Sequence, residues 1–226
     1  MNKKNLNVLI IGGSSGLGRA MAEILDRRGF HVFVTGRDGS EFKHGNIVGI
    51  NFDITQDARK LAIDLNSILE IIPSIDLLVY AAGYSQKGTI GKLDDIDIQT
   101  MVNIGLLAPA LILQKILRKQ EYLAGFIAIT STSQWIPRLG EPVYAAVKAG
   151  VAMLAHSVSL DPQIGKTLVV GPAGMNTKMQ TGNNVSGRLL DPDWVAEQIL
   201  ALYDQEFKYK LARILRDPPR VEIVEQ

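Results

Sequence analysis

Leu6-Asn7-Val8-Leu9-Ile10-Ile11-Gly12-Gly13-Ser14-Ser15-Gly16-Leu17-Gly18 is the stretch that decides the fold. A short apolar run ends in glycines. From Arg19 to Arg28, Ala20, Met21, Ile24 and Leu25 then recur on one helical face, with Gly29 as a C-terminal stop. Strand, glycine turn and helix in that order open a βαβ unit. Gly12, Gly16 and Gly18 let the backbone turn sharply and approach a pyrophosphate, which rests against the helix N-terminus. Glycine spacing alone also suits a plain strand-to-helix turn. The strand before it and the helix after it favour a dinucleotide site built from Gly12, Ser14, Ser15, Gly16, Leu17 and Gly18.

Outward from that loop, strands and helices alternate. Val32 to Val34 and Ile47 to Ile50 read as strands, and Leu61, Leu65, Ile68 and Leu69 mark a helix. Ile75 to Tyr80 is a buried-strand run. A helical stretch covers Asp94 to Lys119, with a break expected near Gly105 or Pro109. Phe126 to Thr130, Leu168 to Val170 and Lys210 to Arg216 read as strands, and Pro142 to Leu160 as a helix. Asp191-Pro192 caps a helix through Leu202. Strands separated by single helices imply right-handed crossovers. The expected fold class is α/β: a doubly wound parallel sheet with helices on both faces, a Rossmann-like three-layer sandwich. No repeat or linker divides the chain, so residues 1–226 read as a single dinucleotide-binding domain.

Composition narrows the partners. The 226 residues carry 24 basic and 23 acidic side chains, a net charge of +1, which gives no electrostatic case for nucleic acid or an acidic membrane. With no cysteine, a disulfide framework, a thiolate zinc site and a catalytic thiol are all excluded. His31, His44 and His156 have no metal-ligand spacing, and Asp94, Asp95 and Asp97 read as a solvated helix start. No signal-peptide core follows Met1, and no apolar run reads as long enough to span a bilayer. The expectation is a cytoplasmic protein with no membrane partner.

The segment after the second strand, Thr35-Gly36-Arg37-Asp38, bears on cofactor choice. An NAD site wants a carboxylate about 20 residues beyond the loop, on the ribose 2′-hydroxyl. Here Gly36 and Arg37 take the contact positions, and a guanidinium suits a 2′-phosphate. The competing readings are a solvated Arg37 and an Asp38 that serves NAD. NADP(H) is the expected preference, with NAD(H) as the second cofactor.

Tyr144-Ala145-Ala146-Val147-Lys148 lies near a helix start, and its i,i+4 spacing sets both functional groups on one face. A free tyrosine titrates near pH ~10, so it is a poor base at neutrality, and a neighbouring ammonium favours the phenolate. As a phenol it can protonate an alkoxide. Alone, such a pair is more often an amphipathic surface pair. Ser131, at the end of a strand, can bring a hydroxyl beside the phenol, with Thr132 or Ser133 as alternatives if the register differs.

Taken together, these motifs resemble the short-chain dehydrogenase/reductase family over nearly the whole chain. The loop from Gly12 matches the family's Gly-x-x-x-Gly-x-Gly pattern, and Asn51-Phe52-Asp53-Ile54 resembles its adenine-holding segment. Tyr80-Ala81-Ala82-Gly83 stands where Asn-Asn-Ala-Gly is usual, and Asn103 matches the helix asparagine. Gly171-Pro172-Ala173-Gly174-Met175-Asn176-Thr177 resembles the segment along nicotinamide and pyrophosphate. The resemblance implies catalysis by Asn103, Ser131, Tyr144 and Lys148. Tyr144 would be the acid/base, Ser131 the substrate hydrogen-bond partner, Lys148 the ribose ligand that lowers the Tyr144 pKa, and Asn103 part of a proton relay. It also implies cofactor contacts from Asp53, Ile54, Ala82, Gly83, Tyr144, Lys148, Pro172 and Thr177.

The resemblance further implies a homodimer or homotetramer, and a small-molecule carbonyl or alcohol as substrate. The chain departs from the pattern at Ile11, Tyr80, Ala81 and Ala173, and Asp217-Pro218-Pro219 stands near the place of the usual Asp-Gly-Gly. The region after Thr177 is short, suggesting an open pocket, while Met175, Met179 and Trp135 look too scattered to define one. The leading expectation is an NADP(H)-dependent oxidoreductase. The alternative is a non-catalytic dinucleotide-sensing protein on the same fold, and an epimerase or dehydratase ranks third.

Overall fold

A computed structural model describes residues 6–177, 179 and 188–226. The strands are β1 (Asn7–Ile11), β2 (His31–Gly36), β3 (Val48–Asn51), β4 (Leu77–Tyr80), β5 (Leu123–Ile129), β6 (Ile164–Pro172), β7 (Tyr209–Arg216) and β8 (Pro219–Glu225). The helices are α1 (Gly16–Arg27), α2 (Ala58–Ile71), α3 (Asp95–Val102), α4 (Ala108–Lys119), α5 (Pro142–Val158) and α6 (Pro192–Tyr203). The sheet order is β3-β2-β1-β4-β5-β6-β7-β8. Successive side chains on a strand face opposite ways, so the apolar run Val8 to Ile11 of β1 feeds two cores. Val8 and Ile10 pack with Met21 and Leu25 of α1 and with Val195 and Ile199 of α6. Leu9 and Ile11 pack with Leu61 and Leu65 of α2 and with Ile112 and Ile116 of α4.

This is the expected α/β sandwich, with two differences. The last strand, β8, runs antiparallel to β7, with Arg216 paired to Pro219. Pro218 and Pro219 obscure its alternating Val221 and Ile223, but an edge strand tolerates proline where no ladder donor is needed. The second difference lies between Asp95 and Lys119. Instead of breaking, the helix passes through a π turn at Asn103–Leu107. The continuous 25-residue element is long and apolar enough, by length and composition, to cross a membrane, which corrects the expectation of no such run. Its apolar stripe, Met101, Ile104, Ala108, Ile112, Leu113 and Ile116, is buried in this structure.

Strand order reverses between β1 and β4, the topological switch point of an open α/β sheet. Ligands bind beyond the carboxyl ends of the strands at such a point.

Candidate active site

The glycine loop bends where β1 ends. Gly12 has φ +81°, a left-handed conformation that disfavours side chains, and a Cβ there would lie 2.7 Å from Ala82 Cα. Its neighbours are fixed by the Thr35 carbonyl, which accepts from the N–H groups of Gly12 at 3.2 Å and Gly13 at 3.0 Å. The loop delivers the chain into α1 without a side-chain cap from Ser15 and without an acidic residue in the first turn. The first-turn N–H groups have no carbonyl four residues back, so they are available to an anion.

A cavity of about 480 Å³ runs from this loop to the carboxyl end of β5. Gly12, Ser14, Ser15, Gly16, Leu17, Gly18, Arg37, Asp53, Ile54, Ala82, Gly83, Tyr144, Lys148 and Thr177 all line it. Arg37 does so while Asp38 does not. Asp53 Oδ1 accepts from the Thr55 N–H at 2.9 Å and hydroxyl at 2.7 Å, which orients the carboxylate at the cavity wall. The shape and the donors fit a dinucleotide: glycine lets the backbone approach, a helix N-terminus faces an anion, and a cation stands beyond β2. Asp97 is more than a solvated helix start, since it also lines this cavity and accepts from the Tyr84 hydroxyl at 2.6 Å.

At the far end, α5 brings Tyr144 and Lys148 to the cavity. Its approach depends on Gly105 in the π turn, where a Cβ would meet Val147 Cγ1 at 1.9 Å. The π turn frees the Ile104 carbonyl, and the buried Tyr80 hydroxyl donates to it. Asn103 begins that turn and is half-buried. It lines neither this cavity nor the next, although Ile104 beside it does.

Ser131 follows β5, caps the turn Thr132–Gln134 and accepts from Ser133 N–H at 3.1 Å. Its hydroxyl donates to Ser133 Oγ at 3.2 Å and pulls the pKa of the Tyr144 phenol down. Ser133 is engaged elsewhere: its hydroxyl donates to Glu141 Oε2 at 2.8 Å and accepts from Arg138. Ser131 and Tyr144 stand at a second cavity of about 290 Å³, whose wall includes Pro172 and Thr177. Tyr144, Thr130, Met175, Thr177 and Met179 line both cavities. The two methionines therefore converge on the site despite their separation in sequence. Trp135 packs behind it, against Gly171. Residue 178 and residues 180–187, on which the open-pocket expectation rests, lie outside the described residues.

The electrostatics differ from the expectation that Lys148 lowers the pKa of Tyr144. Burial pushes the Tyr144 phenol up to about 12, against the Ser131 hydrogen bond that pulls it down; Glu141 raises it further and Arg138 lowers it. Burial also brings the Lys148 ammonium down to about 8. Lys148 Nζ donates to the Ile129 carbonyl at 3.0 Å and sits 5.7 Å from the centre of the Tyr144 ring, over its face.

Sequence reasoning missed Lys87, Arg138, Glu141 and Arg216, all lining the second cavity. Only the Arg138–Glu141 pair, at i,i+3, left any local signal.

A switch-point cavity that ends at a tyrosine and a lysine, with a serine in the adjoining cavity, fits an oxidoreductase of the dinucleotide-fold class. Residues 6–186 match the family model described as short chain dehydrogenase, and the chain belongs to that family. Among its relatives is 3-oxoacyl-[acyl-carrier-protein] reductase FabG of Vibrio harveyi, 28% identical over 230 residues, covering 92% of this chain and 94% of that protein. Solved structures share the fold. A short-chain dehydrogenase from Sphingobium yanoikuyae in complex with NADPH superposes with a TM-score of 0.80 at 21% identity, over 91% of this chain and 87% of that one. A 3-ketoacyl-(acyl-carrier-protein) reductase from Brucella melitensis complexed with NADH gives 0.80 at 19% identity, over 93% and 96%.

Proposed function

We propose that this protein is an NADP(H)-dependent reductase of small carbonyl compounds, reversible on alcohols, with residues 1–226 as one dinucleotide-binding domain that carries the active site. The observation that carries this reading is the position of Tyr144, which lines both the dinucleotide-shaped cavity and the second one, with Ser131 on the wall of the latter. When bound, the dinucleotide supplies the hydride in reduction and takes it back in oxidation. Tyr144 gives its proton to the carbonyl oxygen as that oxygen becomes an alkoxide, and Ser131 holds the same oxygen by a hydrogen bond. Lys148, beside Gly83 and the tyrosine ring, holds the nicotinamide ribose and returns a proton to Tyr144. Asn103 begins the π turn from which a water relay to Lys148 would run. A phenol held up to about 12 stays protonated at neutral pH, which suits a proton donor and supports the reductive direction. The test is NADPH oxidation over ketones, aldehydes and quinones, with Tyr144→Phe as control. A dinucleotide sensor would bind NADPH and oxidise none.

The pH profile of reduction follows from two groups. Tyr144 is an acid and stays protonated to about pH 12, whereas Lys148 loses its charge as pH rises through about 8. The kcat/KM for reduction, which reports the free enzyme, is expected to be level below that pH and to fall above it. A profile flat well above pH 8 assigns the ammonium no part.

Arg37 supports the cofactor preference, since it alone of Arg37 and Asp38 lines the cavity. Fluorescence titration is expected to give tighter NADPH than NADH binding, with Arg37→Ala weakening NADPH by about 10- to 100-fold and NADH little. Equal affinities in the parent protein reject the preference. Exposed Met153 on α5 and Leu160 just beyond its end, 64% and 79% accessible, support a homodimer or homotetramer through that helix. Light scattering that returns a monomer at micromolar concentration defeats it.

A further inference from the structure

The second cavity carries a charge pattern that hydride transfer to a carbonyl does not require. Lys87, Arg138 and Arg216 line it, and Glu141 is its one carboxylate among the described residues, in a chain whose overall net charge is only +1. Arg138 is already engaged: Nη1 pairs with Glu141 Oε2 at 3.1 Å and with Ser133, which ties down the loop beside Ser131.

Arg216 is different. It ends β7 at the carboxyl edge of the sheet, beyond the point where Ile214 pairs with Pro172. The other two arginines of the β7–β8 hairpin, Arg213 and Arg220, both pair with Glu222 at 2.7 Å. Among the described residues, no carboxylate or hydrogen-bond acceptor engages the half-buried Arg216, and none engages Lys87. The sequence from Asn176 to Leu190 holds no acidic residue that would neutralise them.

Arg216 is also held in place. It pairs with Pro219 across the hairpin, and Arg220 Nη1 donates to the turn carbonyls of Asp217 at 3.3 Å and Pro218 at 3.4 Å. A guanidinium partly removed from water without a counter-charge is costly, and the cost is offset when an anion arrives. Two unpaired cations in a walled cavity also concentrate positive potential there.

We propose that the substrate is a carbonyl compound bearing an anionic group, a carboxylate or a phosphate, and that Arg216 clamps that group while Lys87 adds charge at the wall. The planar fork of the guanidinium matches either oxyanion. Tyr144 and Ser131 line the same cavity, so an anion on Arg216 and a carbonyl at Tyr144 belong to one molecule. Met175 and Met179 supply an apolar wall for the carbon chain between them. The proposal rests on the carbonyl-reductase reading above, and the experiment keeps the two apart.

Matched pairs provide the test: acetoacetate against its methyl ester, and dihydroxyacetone phosphate against dihydroxyacetone, each reduced with NADPH. The charged member of at least one pair is expected to have a kcat/KM about 10- to 100-fold higher, mostly through KM. The pair that discriminates tells carboxylate from phosphate. In Arg216→Ala the charged-to-neutral ratio falls toward one, and Arg216→Lys restores part of it. Neutral members reduced as well as charged ones in the parent protein overturn the proposal, as does a ratio that survives Arg216→Ala. A calorimetric arm titrates acetoacetate and inorganic phosphate into the NADPH-loaded protein without reading turnover. Anion binding lost in Arg216→Ala, with no carbonyl reduced, upholds the anion site and rejects the reductase reading. Reduction of neutral carbonyls without Arg216-dependent anion binding does the reverse.

Discussion

Tyr144→Phe is expected to lower carbonyl turnover by about 10²- to 10⁴-fold, the usual worth of a positioned general acid. The substitution keeps the ring that Lys148 Nζ overlies at 5.7 Å and removes only the hydroxyl that Ser131 engages. Reduced-dinucleotide binding, read by fluorescence, is therefore expected to stay near that of the parent. Single-turnover hydride transfer followed at the NADPH absorbance isolates the chemical step. Ser131→Ala is expected to cost less than Tyr144→Phe, because it removes an oriented hydrogen bond and leaves the proton donor in place. Near-normal transfer in Tyr144→Phe rejects the tyrosine as donor.

The second large effect is expected at Gly12. Gly12→Val meets two separate penalties. The residue has φ +81°, which costs about 1–2 kcal/mol for a side chain and more for a β-branched one. A Cβ would also sit 2.7 Å from the Ala82 backbone N and Cα, and neither atom can swing away, so overpacking adds about 1–3 kcal/mol. Thermal unfolding is expected to shift down by several degrees, with dinucleotide binding lost. Gly12→Ala meets the same two obstacles with less bulk and is expected to fall between. A Gly12→Val protein that melts with the parent and still binds NADPH would show that the loop does not need this close approach.

Much of the fold is legible because its signals are local. β1 is apolar at every position from Val8 to Ile11, which marks a strand buried on both faces, and the structure places those residues alternately in two cores. The Asp191-Pro192 signal marks the start of α6: the Asp191 carboxylate accepts from Asp193 N–H at 2.8 Å. The π turn was not legible as such. Gly105 reads as a helix breaker, yet its missing Cβ is what lets Val147 and the helix carrying Tyr144 approach. Nor was β8, because two prolines in succession outweigh the alternation of Val221 and Ile223 until β7 is seen as its partner.

The site divides the same way. By itself the sequence determined the glycine loop, the one-face placement of Tyr144 with Lys148, and the arginine after β2, because each depends on spacing within one strand, helix or turn. Tertiary structure alone decided that Ser131, and not Ser133, reaches Tyr144, since Arg138 and Glu141 hold Ser133. It alone brought Lys87 and Arg216 to one cavity from opposite halves of the chain. It also set Tyr144 up to about 12 and Lys148 down to about 8. The reason is common to all of these: they follow from where strand ends converge and from how far water is excluded there, and neither is a property of neighbouring residues along the chain.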